Sequence, residues 1–276
     1  MRSTTLAAFL RPDGFEPPLV SAVVREASVV REVGRYALRS VGERRSRRDT
    51  PYAARTAPRS GDPVVLVPGF LAGDGSLRWM SASLRRQGLR TYRSNIHANI
   101  GCTVDAAALL EARLESIASR RGSRVQVVGH SLGGMLARGV AARRPDLVSG
   151  IVTLGSPMLA PAAHHISLAA SVEMLVRLSR VGVPGLMSDD CVGGDCARRS
   201  FDDSRLPIPA DVAFTAIYSR RDGIVDWRAC IDPQARAVEV TTSHVGMAVD
   251  PDVIDRVVAA LTAGRSALEV DRGEIA

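Results

Sequence analysis

Lysine is absent from this 276-residue chain, so all 36 of its basic side chains are arginine. The absence reads as the compositional bias of a GC-rich genome. The formal net charge of +7 suits nucleic acid or an anionic membrane in principle. The chain has no helix-turn-helix pattern, no zinc-finger spacing and no interleaving of aromatic with basic residues, which argues against specific nucleic-acid recognition. Aromatic residues supply only 4% of the chain, so Val, Leu and Ala must fill most of a core that an apolar fraction of 46% makes ample. No apolar run reaches the roughly 20 residues that a bilayer span requires. The run Leu6-Ala7-Ala8-Phe9-Leu10, between Arg2 and Arg11, is too short for an export signal and no clean cleavage site follows it. A cytoplasmic location is therefore expected, with membrane association open.

What is present falls into three parts. Residues 1–62 form an N-terminal extension, in which 1–17 read as loosely attached. An amphipathic helix is predicted over 19–41, with Val20, Val23, Val24, Ala27, Val30, Ala37, Leu38 and Val41 at three- and four-residue spacing. Such a helix either packs on the domain, which is favoured, or makes peripheral contact with a membrane. An Arg-rich linker is predicted over 42–62. From residue 63 to 264, short apolar runs alternate with helical patterns, which means an α/β fold: a mostly parallel sheet with helices on both faces. The strands are expected near 64–67, 90–94, 125–128, 151–154, 212–219 and 237–240. Residues 158–210 interrupt the rhythm and read as an insertion over the carboxyl ends of the strands, with a helix at 166–180. A polar, frayed tail is expected over 265–276.

The chemistry centres on Gly129-His130-Ser131-Leu132-Gly133. An apolar strand precedes this G-x-S-x-G pattern and helix formers follow it, the context of a nucleophile elbow. Ser131 is the candidate nucleophile, and it needs a base, an orienting acid and an oxyanion hole. Of five histidines, only His244 lies in the loop after the last strand, from which it can reach back over the elbow. His130 is expected to pack beside the site, while His164 and His165 sit in the insertion. Asp222, directly after the strand at 212–219, is the favoured acid; Asp226 is its competitor, and Asp232 and Glu239 fit less well. The order Ser131, Asp222, His244 is that of α/β-hydrolases. The oxyanion donors are expected to be the N–H of Leu132 and that of Phe70, with Leu71 second on the same loop. No cofactor and no metal are called for. Cys191 and Cys196 bracket a loop with two glycines that would admit a local disulfide, although free thiols are the default in a reducing compartment.

Val67-Pro68-Gly69-Phe70, Gly129-His130-Ser131-Leu132-Gly133-Gly134, Ser219-Arg220-Arg221-Asp222-Gly223 and Ser243-His244-Val245-Gly246-Met247 resemble the α/β-hydrolase fold. More narrowly, they are similar to bacterial esterases and lipases of the triacylglycerol-lipase type. The resemblance covers about residues 63–262. Many such lipases carry His-Gly in the oxyanion loop, where this chain has Pro68-Gly69. The resemblance implies cofactor-free hydrolysis of small-molecule or lipid-like esters through an acyl-enzyme. The insertion, apolar at Ile166, Leu168, Val172, Leu175, Val176 and Leu178, is either a lid over an acyl pocket or an ordinary helix packed by its apolar face. Two other functions use the same features: acyl transfer to an alcohol on the same triad, and a catalytically inactive, membrane-associated interaction protein.

Overall fold

Val64, Val65, Leu66 and Val67 are all buried, because β1 (Val64–Val67) lies inside a sheet covered on both faces. The computed structural model describes residues 6–48 and 61–273. Five further strands complete the sheet: β2 (Thr91–Arg93), β3 (Val125–His130), β4 (Val148–Leu154), β5 (Ala213–Ser219) and β6 (Arg236–Val240). The spatial order is β2-β1-β3-β4-β5-β6, and every pairing is parallel. After β2 the chain crosses back over β1 to lay down β3 and then runs outward to β6. The reversal falls between β1 and β3, where open α/β sheets form a crevice at their carboxyl ends.

Alternate residues along β1 and β3 feed two cores. Val65, Val67, Val125 and Val127 pack with Leu110, Leu114, Leu136 and Val140, from α3 (Thr103–Arg121) and α4 (Leu132–Arg143). On the other face Val64, Leu66 and Val128 pack with Met80, Leu84, Ile254 and Val257, from α2 (Arg78–Arg86) and α8 (Pro251–Gly273). Aliphatic residues fill both cores, as the scarcity of aromatics requires.

The N-terminal extension differs from the sequence expectation. A 3-10 helix covers Val20–Ser28, and α1 follows as Val29–Arg48. The predicted apolar stripe faces outward: Val24, Val30 and Leu38 are 70%, 76% and 77% exposed. The opposite face packs on the domain, with Glu32 fully buried and Tyr36 stacked on Trp79 of α2 at 5.5 Å. The reason is that the extension lies on loops that present backbone N–H groups, which carboxylates satisfy and valines do not. Helix α1 also runs six residues past Gly42 into the predicted linker. Arg39 bridges Glu43 at 2.8 Å and Asp255 of α8 at 2.6 Å, and Glu43 reaches Arg86 of α2 at 2.7 Å. The rest of that linker, up to residue 60, lies outside the described residues. Residues 6–17 are docked, not loose: Leu10 is buried against Ala197 and Phe201, and Ala7 N–H donates to the Val192 carbonyl at 3.1 Å. The tail that was expected to fray continues α8 to Gly273.

The insertion between β4 and β5 contains α5 (Ile166–Arg180) and two short helices, α6 (Asp189–Gly193) and α7 (Asp195–Asp203). The latter two replace the polar loop predicted there.

Candidate active site

Strand β3 ends at His130 and α4 starts at Leu132, so Ser131 alone turns the chain. Its φ of 52° and ψ of −122° lie in a sparsely populated region that costs about 1–3 kcal/mol for a residue with a side chain. The turn fits because Gly133 has none: a Cβ there would sit 2.3 Å from the Val67 carbonyl oxygen. The Ser131 N–H donates to the Leu154 carbonyl at 2.8 Å, and the residue lines a cavity of about 130 Å³. Phe70 and Leu132 line the same cavity. Leu132 opens α4, so its N–H has no partner inside the helix. On the β1 exit loop, the Leu71 N–H is committed to the Asn99 carbonyl at 3.1 Å, while the Phe70 N–H has no acceptor among the described residues.

Asp222 and His244 meet at 2.6 Å, Oδ2 to Nδ1, and both side chains are buried. The other carboxylate oxygen of Asp222 accepts the N–H groups of Ile224 and Val225 at 2.8 and 2.9 Å. Two N–H donors thus fix the carboxylate, and the carboxylate fixes the ring. Burial of the His244 ring disfavours its charge. The Asp222 carboxylate, by charge and hydrogen bond, and the nearby Glu26 outweigh that burial and hold the pKa above the ordinary 6.5. His130 accompanies it, with ring centroids 4.9 Å apart and Nε2 2.9 Å from the His244 carbonyl oxygen. Burial, helped by His244, pushes the His130 pKa down to about 4, so His130 stays neutral.

The remaining candidates have other partners. Asp226 caps the 3-10 helix Trp227–Cys230, accepting the Arg228 N–H at 3.0 Å, and its other oxygen accepts the Glu16 N–H at 3.2 Å. Asp232 pairs with Arg138 at 2.6 Å, and Glu239 pairs with Arg220 at 3.3 Å. His164 lines the cavity. His165 caps α5 through Nδ1 and reaches the Val20 carbonyl through Nε2 at 3.0 Å. No local bridge joins Cys191 and Cys196, whose sulfurs stand 3.9 Å apart.

Two residues that the sequence did not single out support this arrangement. One oxygen of Glu26 accepts the N–H of Gly223 at 2.9 Å and of His244 at 3.0 Å, and the other accepts that of Val245 at 2.9 Å. One side chain thereby clamps the loop after Asp222 to the loop that carries His244. Glu32 accepts the Ser243 N–H at 2.9 Å and its hydroxyl at 2.6 Å. A Cβ at Gly246 would lie 1.7 Å from the Glu32 carboxylate, so glycine there admits the clamp. The available signal was that both acids lie off the apolar stripe; nothing local shows that this face is the buried one.

The chain matches the family model described as the alpha/beta hydrolase fold over residues 62–176. Its parallel sheet has the architecture of that fold. Its curated relatives include triacylglycerol lipases of Vibrio cholerae serotype O1, 35% identical over 99 residues, and of Burkholderia plantarii, 30% identical over 114 residues. These alignments take in 34% and 38% of this chain but only 31% and 32% of the relatives, so the chain spans about a third of their length. Among solved structures, the mature form of the Bacillus licheniformis lipase BlEst2 superposes with a TM-score of 0.60 at 15% identity, covering 75% of this chain and 94% of that one. The Paleococcus ferrophilus monoacylglycerol lipase superposes at 0.53 and 18% identity, covering 75% and 96%. Glu26 and Glu32 lie in a layer that precedes the region matched by the family model.

The wall of the cavity is apolar. The N-terminal segment supplies Leu6 and Leu10, the insertion Leu168, Val172 and Met187, and α4 Met135. Phe70, Ser131 and Leu132 line this cavity, and the Asp222–His244 pair lies on loops at the same carboxyl end of the sheet.

Proposed function

We propose that this α/β-hydrolase cleaves carboxylic esters with apolar acyl groups through an acyl-enzyme. The observation that carries the proposal is the buried 2.6 Å Asp222–His244 pair at the same sheet edge as strained Ser131. In this reading His244 takes the Ser131 proton as the hydroxyl attacks the ester carbonyl. Asp222 holds the ring tautomer and stabilises the imidazolium. The N–H groups of Phe70 and Leu132 receive the oxyanion. His244 then returns the proton to the leaving alcohol, and water activated by the same ring releases the acid. The lipase names of the curated relatives and the apolar cavity both favour lipid-like esters.

Turnover of p-nitrophenyl esters of increasing acyl length tests this. Wild type is expected to show an optimum, and Ser131→Ala to lose about 10⁴-fold or more in kcat. Equal turnover by the two proteins would end the reading. Acceptor alcohols added to the same assay report any acyl transfer as new ester product.

A peripheral membrane contact through residues 19–41 is a second part of the proposal. Its support is the outward-facing row of Val20, Val24, Val30 and Leu38 on a basic chain. No helix among the described residues is long and apolar enough to cross a membrane. Sedimentation with anionic vesicles tests the contact.

A further inference from the structure

Three cysteines from two distant parts of the chain converge beside the cavity. Cys102 precedes α3 as its N-cap, Cys191 lies in α6 and Cys196 in α7. The Cys102 and Cys196 sulfurs are 3.1 Å apart, those of Cys191 and Cys196 are 3.9 Å apart, and all three lie within 4.8 Å of one another. A zinc ion about 2.3 Å from each of several thiolates sets their sulfurs roughly 3.8 Å apart, the middle of this range. The local structure holds the ligands in place. The Asp190 carboxylate accepts the Cys196 N–H at 3.2 Å, which fixes the turn between Cys191 and Cys196. The three side chains are only partly buried, so an ion can enter, and the Ser188 hydroxyl, 3.5 Å from the Cys191 sulfur, stands at the edge of the cluster.

We propose that Cys102, Cys191 and Cys196 bind one thiophilic metal ion, with zinc as the probe, and that the ion fastens the insertion to the sheet domain. Binding replaces three S–H protons, released to solvent, with three S–metal bonds; nothing is oxidised or reduced. A water or the Ser188 hydroxyl completes four-coordination. Cys191 also lines the cavity, so the ion would make one wall of the pocket rigid. The site is independent of the hydrolase chemistry, and its test does not use ester turnover.

The experiment uses the reduced, metal-free full chain. Titration with Co²⁺ is expected to give a thiolate-to-cobalt charge-transfer absorption that saturates at one ion per chain, and zinc should displace it. Zinc should raise the melting temperature. Cys102→Ser, Cys191→Ser and Cys196→Ser are each expected to weaken zinc binding by about 100-fold or more and to abolish the zinc-dependent rise. Cys230→Ser, at a buried site hydrogen-bonded to the Asp226 carbonyl, should leave both unchanged. Metal-free melts of the variants that match wild type show that loss of binding is not loss of folding. The proposal is overturned if the reduced chain gives no charge-transfer band, or if Cys230→Ser weakens binding as much as the other three. It is equally overturned if peptide mapping finds a Cys102–Cys196 disulfide in a chain whose reduced form takes up no metal.

Discussion

Glu26 acts on the candidate site through His244 and not on a substrate. Its carboxylate accepts three N–H groups from the two loops that carry Asp222 and His244, and its charge helps to hold the His244 pKa above 6.5. In the proposed mechanism only the neutral imidazole can take a proton from Ser131, so ester turnover should rise as pH passes upward through that raised pKa. Glu26→Gln keeps most of the packing but removes the charge, and is expected to move the rising limb of kcat/KM toward lower pH. A profile that superimposes on wild type would show that Glu26 has no electrostatic part. At the acid position, Asp222→Asn should lower kcat by about 10⁴-fold, as loss of the correct tautomer does in such triads. Asp226→Asn should stay within a few-fold of wild type, because Asp226 serves a helix cap. Glu32→Ala leaves a buried N–H and hydroxyl of Ser243 without their acceptor. With roughly 1.5–3 kcal/mol per hydrogen bond to a charged group, urea denaturation should register a loss of about 3 kcal/mol.

At the scale of elements, β1 and the strand that enters the elbow were legible because burial on two faces leaves a largely apolar run, whereas the edge strands β2 and β6 are partly exposed and carry weaker patterns. The orientation of the N-terminal helices was not legible. Periodicity marked the stripe from Val20 to Val41 but not the direction in which it points. That direction depends on the backbone donors of residues 223 and 243–245, which are distant in sequence. The exposed stripe makes its own prediction. Val24→Ser, Val30→Ser and Leu38→Ser together should change folding stability by less than about 0.5 kcal/mol per site, since none of the three is buried. The same triple substitution should reduce the fraction that sediments with anionic vesicles. Unchanged sedimentation would remove the stripe from any membrane contact.

For the whole molecule, chain order alone placed Ser131, Asp222 and His244 at one sheet edge, since strand-exit loops of a parallel sheet share one end. It could not show that residues 6–48 bring Leu6 and Leu10 to the cavity and Glu26 and Glu32 to the loops beside it. A chain started at Pro63, the boundary that the strand pattern suggests, is expected to melt at a lower temperature and to lose ester turnover, because the His244 loop loses its carboxylate acceptors. The clamp also sets a timetable for synthesis. Glu26 and His244 are 218 residues apart, and a ribosome adding roughly 5–20 residues per second needs about 10–40 s to cover that distance. Until Gly223 is made, 197 residues after Glu26, none of the clamp's three backbone donors exists. The nascent chain therefore carries the Ser131 turn well before it carries the Asp222–His244 pair, and that pair is fixed in one late step as the newest loops close onto Glu26 and Glu32.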